Sequence, residues 1–425
     1  MAILLLATLI SFVTPVAAGA LCVGDCNGDL QVTVDELVLG INIALGETDV
    51  DQCTAIDASG DRQVTVDEIV AAVTAALDGC PAVEPRLIVL SRRGQIASLD
   101  VAAPWTPRAS GDLGAPIASA RCRDGRCLVV HPSTDSISVV GASDLMTEDP
   151  ITLEKGSDPR DVAIVDDHSA IVSQYGNAAL LEIDLNTRVT KAIDLSALTD
   201  EDGLPEALRM ATCGRRVFVQ LQRVDHRSGV PASIPGTLAV IDLDRDERDR
   251  VVDVDPETPG VQGIDLINRP NFDMPVDCDA GVLYVAEPKP LLQGGGRYEQ
   301  IDLDTLTASE FPIDTGPEIG GFEIIEPDKY WLITHTEVGP GPSSHLNFFG
   351  GGPMDTHNTF AEEHVNDLAF DRQEDLLFYP DPCATIPTNP NCDGGVVIFH
   401  AHTGEAASAE PVDVGFPPIE VVVSR

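Results

Sequence analysis

Residues 156–195 read GSDPRDVAIVDDHSAIVSQYGNAALLEIDLNTRVTKAIDL. Three short runs rich in Val, Ile, Leu and Ala (DVAIV, SAIVSQ and ALLEIDL) are separated by Asp, Asn and Gly. Runs of this length between such turn residues predict short β-strands joined by tight connections. The stretch therefore predicts one small sheet.

The same texture continues along the chain after Pro81, in two kinds of apolar run that alternate. Runs of the first kind mostly recur about every 40–50 residues, which is typical of propeller blades. The first kind comprises PIASARC from Pro116, PRDVAIV from Pro159, PEALRMA from Pro205, PVDCDA from Pro275, GGFEIIE from Gly320, HVNDLAF from His364 and PIEVVVS from Pro418. The second kind comprises QIASLDV, SISVVGA, ALLEIDLNT, TLAVIDLDR, YEQIDLDT, HLNFFGG and VVIFHAHTG.

The two ends of this region complement each other. The last run of the first kind stands at the C-terminus, and the first run of the second kind, at Gln95, has only Leu87–Leu90 before it. A tail strand at Val421 that joins the first blade would close the ring and remove the exposed sheet edges. Residues 82–425 are therefore predicted to be a mainly β, seven-bladed propeller. The alternative, a pair of β-sandwiches, requires no such period.

The blade sequence carries a family resemblance. Residues 156–195 resemble the YVTN-type, lactonase-like propeller repeat, and the other copies match it more loosely. The resemblance implies the propeller fold.

A second repeat precedes the propeller: GDCNGDLQVTVDE (Gly24–Glu36) and IDASGDRQVTVDE (Ile56–Glu68) are near copies. Calcium takes about six to eight oxygen ligands, which a loop of about twelve residues ending in a bidentate Glu supplies. Both phrases have that spacing, so two Ca2+ sites are predicted. The predicted ligands are Asp25, Asn27, Asp29, Gln31 (through its carbonyl), Thr33 and Glu36 in loop one, and Asp57, Ser59, Asp61, Gln63, Thr65 and Glu68 in loop two.

A helix is predicted after each loop. Apolar residues keep helical spacing in both segments, and Gly46 and Gly79 can end them. Each stripe is half a core, so the two stripes are expected to pack on each other. The stripes are Val34, Leu37, Val38, Ile41 and Leu45, and Val66, Ile69, Val70, Val73 and Leu77.

This duplicated loop–helix unit, from Cys22 to Pro81, resembles the dockerin type I module. The resemblance implies a small α-helical, calcium-folded interaction module over residues 21–81. It also implies a cohesin-like or cell-surface protein as partner and an association with extracellular polysaccharide breakdown. The sequence differs from the family at the sixth loop position, which holds Leu30 and Arg62.

Ten cysteines in an exported chain predict disulfides, and no Cys/His spacing resembles a zinc module. Cys122 and Cys127 flank a four-residue turn, Cys383 and Cys392 flank a Pro-rich loop, and Cys213 and Cys278 remain. The other four cysteines allow three pairings. Because modules of the dockerin kind bring their ends together, the resemblance favours Cys22 with Cys80 and Cys26 with Cys53.

Residues 1–20 are predicted to be a secretory signal peptide. The apolar stretch from Ile3 to Val16 is too short to span a bilayer, and Ala17-Ala18-Gly19-Ala20 offers small residues for cleavage. The expected location is secreted or extracellular, with the periplasm and the cell surface as alternatives. No other stretch predicts a membrane span.

The chain is strongly acidic, with 26 Lys and Arg, 69 Asp and Glu and a formal net charge of -43. This charge repels nucleic acids and anionic lipid and attracts cations such as calcium. Most of the carboxylates are interpreted as a solvated surface.

Long insertions and polar residues near inner strands are the candidate sites in the ring. The insertions are His226–Gly236, Val338–His364 and the stapled loop Cys383–Cys392. Glu206, Asp277 and Asp367 are expected near the channel, with structural hydrogen bonding as their main role. A metal-binding or catalytic cluster is the alternative to solvated histidines for His335, His345, His357, His364, His400 and His402.

Two functions follow, and no catalytic residue is assigned. The first is a secreted, calcium-binding, non-catalytic interaction or scaffolding protein, with a polysaccharide or small ligand bound by the propeller. The second is an exported propeller enzyme linked to polysaccharide breakdown, acting as a hydrolase, lyase or lactonase. Fold analogy alone does not establish a reaction.

Overall fold

The computed structural model describes residues 22–26, 31–58, 62–80, 84–166, 168–224, 236–268, 270–287, 297–313, 318–336, 343–352, 355–361, 365, 367–382 and 394–425. The chain divides into two compact units, residues 1–83 and residues 84–425. No helix among these residues is long and apolar enough to cross a membrane.

The N-terminal unit contains two α-helices, α1 (Val34–Ala44) and α2 (Val66–Asp78), and two 3-10 turns at Val50–Gln52 and Thr54–Ile56. Each helix begins with a capping box. The Thr33 hydroxyl accepts a hydrogen bond from the Glu36 backbone N–H, and the Glu36 carboxylate accepts one from the Thr33 backbone N–H. Thr65 and Glu68 do the same for α2. Each box satisfies N–H groups that the helix leaves unpaired.

The core of this unit is small and is held by two disulfides. Ile56 is fully buried between the helices, and a Cβ added at Gly40 would lie 2.7 Å from Ile56 Cδ1, so glycine allows this close approach. The disulfides Cys22–Cys80 and Cys26–Cys53 confirm the pairing favoured above.

The expected packing of the two apolar stripes on each other is wrong. The inward residues of α1 are Glu36, Gly40 and Ile43, and at about 100° per residue the stripe lies on the opposite side of the helix. The helix turns this way because Glu36 and Glu68 face inward to close their loops. Leu37 and Ile69 pack partly against the core. The other eight stripe residues are exposed, namely Val34, Val38, Ile41, Leu45, Val66, Val70, Val73 and Leu77.

The second unit is a seven-bladed propeller of antiparallel sheets, six with four strands and one with three in the part of the chain described. In chain order, blade 1 has β1 (Arg86–Leu90), β2 (Gln95–Asp100) and β3 (Pro107–Asp112); blade 2 has β4 (Ser119–Arg123), β5 (Arg126–His131), β6 (Ser136–Gly141) and β7 (Ile151–Thr152); blade 3 has β8 (Pro159–Ile164), β9 (Ser169–Gln174), β10 (Ala179–Asp184) and β11 (Thr190–Asp194). Blade 4 has β12 (Ala207–Cys213), β13 (Arg216–Leu221), β14 (Thr237–Asp242) and β15 (Ile264–Asp265); blade 5 has β16 (Val276–Asp277), β17 (Val282–Glu287), β18 (Arg297–Asp302) and β19 (Thr307–Phe311). Blade 6 has β20 (Glu318–Glu326), β21 (Lys329–Thr336), β22 (Ser343–Gly350) and β23 (Asp355–Ala361); blade 7 has β24 (Ala369–Asp371), β25 (Leu376–Asp381) and β26 (Gly395–His400).

The last strand, β27 (Glu420–Ser424), pairs with β1 and completes blade 1. This confirms the predicted closure of the ring by the C-terminal strand. The first kind of run forms the innermost strand of every blade, and the second kind forms the third strand.

Seven apolar clusters form the core, and each joins two neighbouring blades. The cluster between blades 7 and 1 contains Phe378 and Leu87, both fully buried. Between blades 6 and 7, the buried Trp331 donates a hydrogen bond from Nε1 to the Ala401 carbonyl at 2.8 Å. Interfaces of one kind therefore run all the way around the ring.

Two disulfides lie in the described part of the propeller. Cys122–Cys127 joins β4 to β5, and Cys213–Cys278 joins the innermost strand of blade 4 to the turn after β16 in blade 5. The four disulfides among the described residues are consistent with an exported protein. Cys383 and Cys392 lie outside the described residues.

Candidate functional site

The first predicted calcium loop is closed by Glu36. Its Oε1 accepts a hydrogen bond from the Cys26 N–H at 2.9 Å, and its Oε2 accepts one from the Thr33 N–H at 2.7 Å. The two ends of the loop are thereby brought together around buried carboxylates, since Asp25 and Glu36 are only 8% and 7% exposed. Asn27 and Asp29 lie outside the described residues.

The second loop repeats part of this geometry. Glu68 Oε2 accepts a hydrogen bond from the Thr65 N–H at 2.7 Å, and Asp57 Oδ2 accepts one from the Arg62 N–H at 2.6 Å. Arg62 has a φ of 64°, a left-handed conformation that glycine adopts most easily. Ser59 and Asp61 lie outside the described residues.

The donor set of these loops fits calcium. Carboxylate oxygens from the first and last loop positions are the hard ligands that Ca2+ prefers. The unit is also poor in competing cations, since Arg62 is the only basic residue between Cys22 and Cys80, among twelve acidic ones. Asp25, Gln31, Thr33 and Glu36 would hold one ion, and Asp57, Gln63, Thr65 and Glu68 the other.

In the propeller, charged side chains line the central channel, with one on the innermost segment of each blade. We call this set the channel ring. Three of its carboxylates bridge blades: Asp161 Oδ2 accepts the Met210 N–H at 2.8 Å, Asp367 Oδ2 accepts the Val421 N–H at 2.7 Å, and Glu420 accepts the Ala120 N–H. The channel ring comprises, from blade 1 to blade 7, Glu420, Arg121, Asp161, Arg209, Asp273, Glu323 and Asp367.

The two arginines of the channel ring are already paired. Arg121 Nη2 lies 3.1 Å from Asp161 Oδ2 and 3.1 Å from Asp273 Oδ2. Arg209 Nε lies 3.3 Å from Asp273 Oδ1. Although burial alone would raise the pKa of Asp273, Arg121 and Arg209 hold it below its usual value. The charges of Arg121, Arg209, Asp161 and Asp273 therefore balance one another in this half of the ring.

The other half of the ring holds carboxyl groups of blades 6, 7 and 1, and few positive charges lie close enough to balance them. Burial raises the pKa of Glu323 to about 8, opposed by Arg372. Burial raises the pKa of Glu420 to about 7 against the effect of the arginines. Burial followed by repulsion from Glu420 raises the pKa of Asp367 well above its usual value. Near pH 7 this half of the ring therefore holds protons that a solvated carboxylate would release.

A cavity of about 500 Å³ extends from the channel ring along the innermost strands. Its charged lining residues are Arg121, Arg123, Asp273, Glu323 and Asp367. Most of the remaining wall is apolar, as expected of small-molecule sites of about 300–1,000 Å³. The apolar lining residues that are only partly buried are Ile164, Leu368, Phe370, Val422 and Val423. Val162, Met210, Met274, Phe322 and Val421 also border the cavity, but their side chains are buried in the clusters between blades.

The candidate histidines do not form one cluster among the described residues. His335 is buried in β21, and its Nδ1 lies 3.0 Å from Ser344 Oγ. His402 contacts Asp375 and lies 3.5 Å from Glu326 Oε1, at the turn where β21 begins. Six residues of strand separate that turn from His335, about 20 Å. His400 is exposed at the end of β26, His345 lies in β22, and His364 and the side chain of His357 are outside the described part.

Of the three polar residues expected near the channel, one lines it. Asp367 does so, and its hydrogen bond to Val421 is structural, as expected. Glu206 is instead fully buried and accepts the Val224 N–H at 3.0 Å. Asp277 accepts N–H groups of Asp279 and Ala280 in a turn. The insertion 338–364 is described only in part, and most of the other two insertions lies outside the described residues.

Sequence reasoning missed six of the seven ring residues, although a signal was present. In six of the seven runs of the first kind, the ring residue stands in an apolar or small-residue run, as Arg121 does in PIASARC and Glu323 does in GGFEIIE. Aligning these six runs would have suggested six members of the channel ring, although three of the six carry a second charged residue. Asp273 is harder to find because it precedes its run.

No protein-family model and no curated protein sequence matches the chain. Among solved structures, a functionally unknown protein from Desulfotomaculum acetoxidans is 12% identical with a TM-score of 0.52, covering 80% of this chain and 99% of its own. Hydrazine synthase from Kuenenia stuttgartiensis is 12% identical (TM-score 0.49; 67% and 76% covered), and virginiamycin B lyase from Staphylococcus aureus is 10% identical (TM-score 0.45; 69% and 84% covered). The likeness to the Desulfotomaculum acetoxidans protein supports the propeller fold, and none of the three structures carries an activity to this chain.

Proposed function

We propose that this chain is an exported, calcium-binding, non-catalytic interaction protein. In this proposal, the N-terminal unit is a dockerin-like module that attaches to a cohesin-like or cell-surface protein. The propeller presents a ligand-binding channel. The observation that carries the proposal is the duplicated apolar face of α1 and α2.

This attachment face consists of the eight exposed stripe residues, which occupy matching positions in the two repeats. Val34 and Val66 are 74% and 77% exposed, and Leu45 and Leu77 are 68% and 80% exposed. Large exposed apolar side chains repeated along one side of a helix are typical of an interaction site. Because both helices repeat the same positions, the face is a built feature of the repeat.

Calcium is expected to bind the full chain at two sites. Calorimetric titration should show both sites in the parent and none in a Glu36→Gln, Glu68→Gln variant, because the bidentate ligand of each loop is lost. Ligand binding to the folded state alone adds about 2.7 kcal/mol of stability at 100 times the Kd. The N-terminal unit should therefore unfold earlier in EDTA.

The matched control is Glu410→Gln, which removes an exposed propeller carboxylate and should leave both sites intact. Equal calcium heats in the parent and the double variant would mean that the ions bind the acidic surface, and the attachment module would lose its basis.

The attachment face is tested with Val38→Lys combined with Val70→Lys. Both positions are at least half exposed, so folding and calcium binding should not change. Binding to an immobilised type I cohesin module should require calcium in the parent. It should weaken at least about 100-fold in the variant, because burying an unpaired ammonium is costly. Binding that persists in EDTA, or equally in the variant, would contradict attachment through this face.

A second candidate is an exported propeller enzyme acting on polysaccharides or lactones. The observation that favours it is the raised pKa of Glu323 in a channel cavity, since a carboxyl protonated near neutral pH can act as a general acid. Turnover that disappears in Glu323→Gln would favour this candidate over the first.

A further inference from the structure

The channel cavity combines apolar walls with several carboxyl groups, of which only some are paired with an arginine. Arg121 and Arg209 are bound to Asp161 and Asp273, so an anionic ligand would have to displace an existing ion pair. Glu323 and Asp367 line the same cavity with no ion pair to either arginine. When Glu323 and Asp367 are ionised, their negative charge is not balanced by these arginines, so the cavity favours a positively charged ligand.

The walls select an organic cation over a bare metal ion. Leu368, Phe370 and Val423 line the same cavity and are only partly buried, so they contribute apolar surface that a bare metal ion would not use. Among the described residues, no three ring carboxylates lie close enough together to share a metal ion. Arg123, which also lines the cavity, is engaged by Asp124 and by the Val165 carbonyl.

We propose that the channel cavity binds a small organic cation with an apolar body, whose ammonium group is held by Glu323 and Asp367. The inference rests on the proposed ligand-binding role of the propeller and names the class of that ligand. The body of the ligand fills the apolar part of the channel.

The affinity for such a cation depends on the protons that the ring holds. Glu323 has a pKa of about 8 and Glu420 of about 7, so both are partly or fully protonated below pH 7. A cation binds the ionised form, and its affinity should therefore rise from pH 6 to pH 8.5. The charged groups that face these carboxyls are Arg121, Arg209, Arg372, Asp161, Asp273 and Asp367.

The experiment is a calorimetric titration of the full chain, in calcium at pH 8.5, with three probes of similar size: phenethylammonium, 2-phenylethanol and phenylacetate. The cation should bind, and the neutral and anionic probes should bind at least about tenfold more weakly, because charge-assisted hydrogen bonds exceed neutral ones. Glu323→Gln combined with Asp367→Asn should weaken the binding of the cation by a similar factor. Glu410→Gln should not.

Tryptophan fluorescence reports whether the double variant folds, because Trp105 and Trp331 both lie in the propeller. Should it fail to fold, the parent decides through its pH profile, since affinity that does not fall between pH 8.5 and pH 6 overturns the inference. Equal binding of the neutral or anionic probe also overturns the ligand class while leaving the channel a binding site. If none of the three probes binds, the inference is overturned, while the calcium-dependent attachment is still decided by its own experiment.

Discussion

A chain that ends at Pro418 is expected to lose the cooperative fold of the propeller. It lacks β27, whose five residues pair with β1 from Arg86 to Leu90. It also lacks Val421, which binds Asp367 and packs into the cluster between blades 7 and 1. Since a domain is stable by only about 5–15 kcal/mol, an open ring with an exposed β1 edge should not survive.

Urea unfolding followed by tryptophan fluorescence measures this loss, because both tryptophans, Trp105 and Trp331, lie in the propeller. The matched control ends at Ser424 and loses only Arg425, whose side chain binds Asp371 and whose carbonyl accepts the Asp124 N–H at 2.7 Å. That control should keep a cooperative transition at a lower midpoint. A Pro418 chain with the parental midpoint would show that closure contributes little.

The Glu287→Gln variant is expected to be more stable than the parent at alkaline pH. Glu287 and Glu299 are a buried pair on β17 and β18, and they accept the Asn268 N–H at 2.7 Å and the Ile267 N–H at 3.2 Å. Burial, followed by the hydrogen bond and repulsion from Glu299, raises the pKa of Glu287 to about 9. The folded protein therefore holds a proton that the unfolded chain releases near pH 4.5.

This proton determines the direction in which the stability of the protein changes with pH. The stability that the proton contributes is fully present below pH 4.5 and is lost as the pH rises towards 9, by about 1.4 kcal/mol per pH unit at most. An amide keeps the hydrogen bonds without ionising. Glu287→Gln should therefore exceed the parent by about 2 kcal/mol or more at pH 9 and match it near pH 4.5.

Urea midpoints at pH 4.5, 7 and 9 check this difference, with Glu410→Gln as the exposed control. A variant whose stability runs parallel to the parent at all three pH values would show that Glu287 ionises normally in the folded protein.

The alternation of apolar runs and turns was enough to predict the ring of seven blades and its closure. Strand-sized apolar runs have few ways to bury both faces, and a repeated unit that stacks on its own neighbours is one of them. The seven clusters between blades are that burial. The spacing of oxygen-bearing residues likewise predicts two calcium loops, and those sites stay predictions until calcium is titrated.

The orientation of the two helices and the composition of the channel needed the tertiary structure. Hydrophobic periodicity marks a stripe on α1, but it does not say whether that stripe faces a core or a partner. Glu36 decides this by turning inward to close its loop, which leaves Val34 and Leu45 exposed. In the propeller, His335 and His402, which the sequence suggested for one cluster, are far apart in space, whereas Arg121 and Asp273 are distant in sequence and in contact. Ring closure brings such residues together, because contacts across a channel depend on the order of the blades around it, and local sequence carries no record of that geometry.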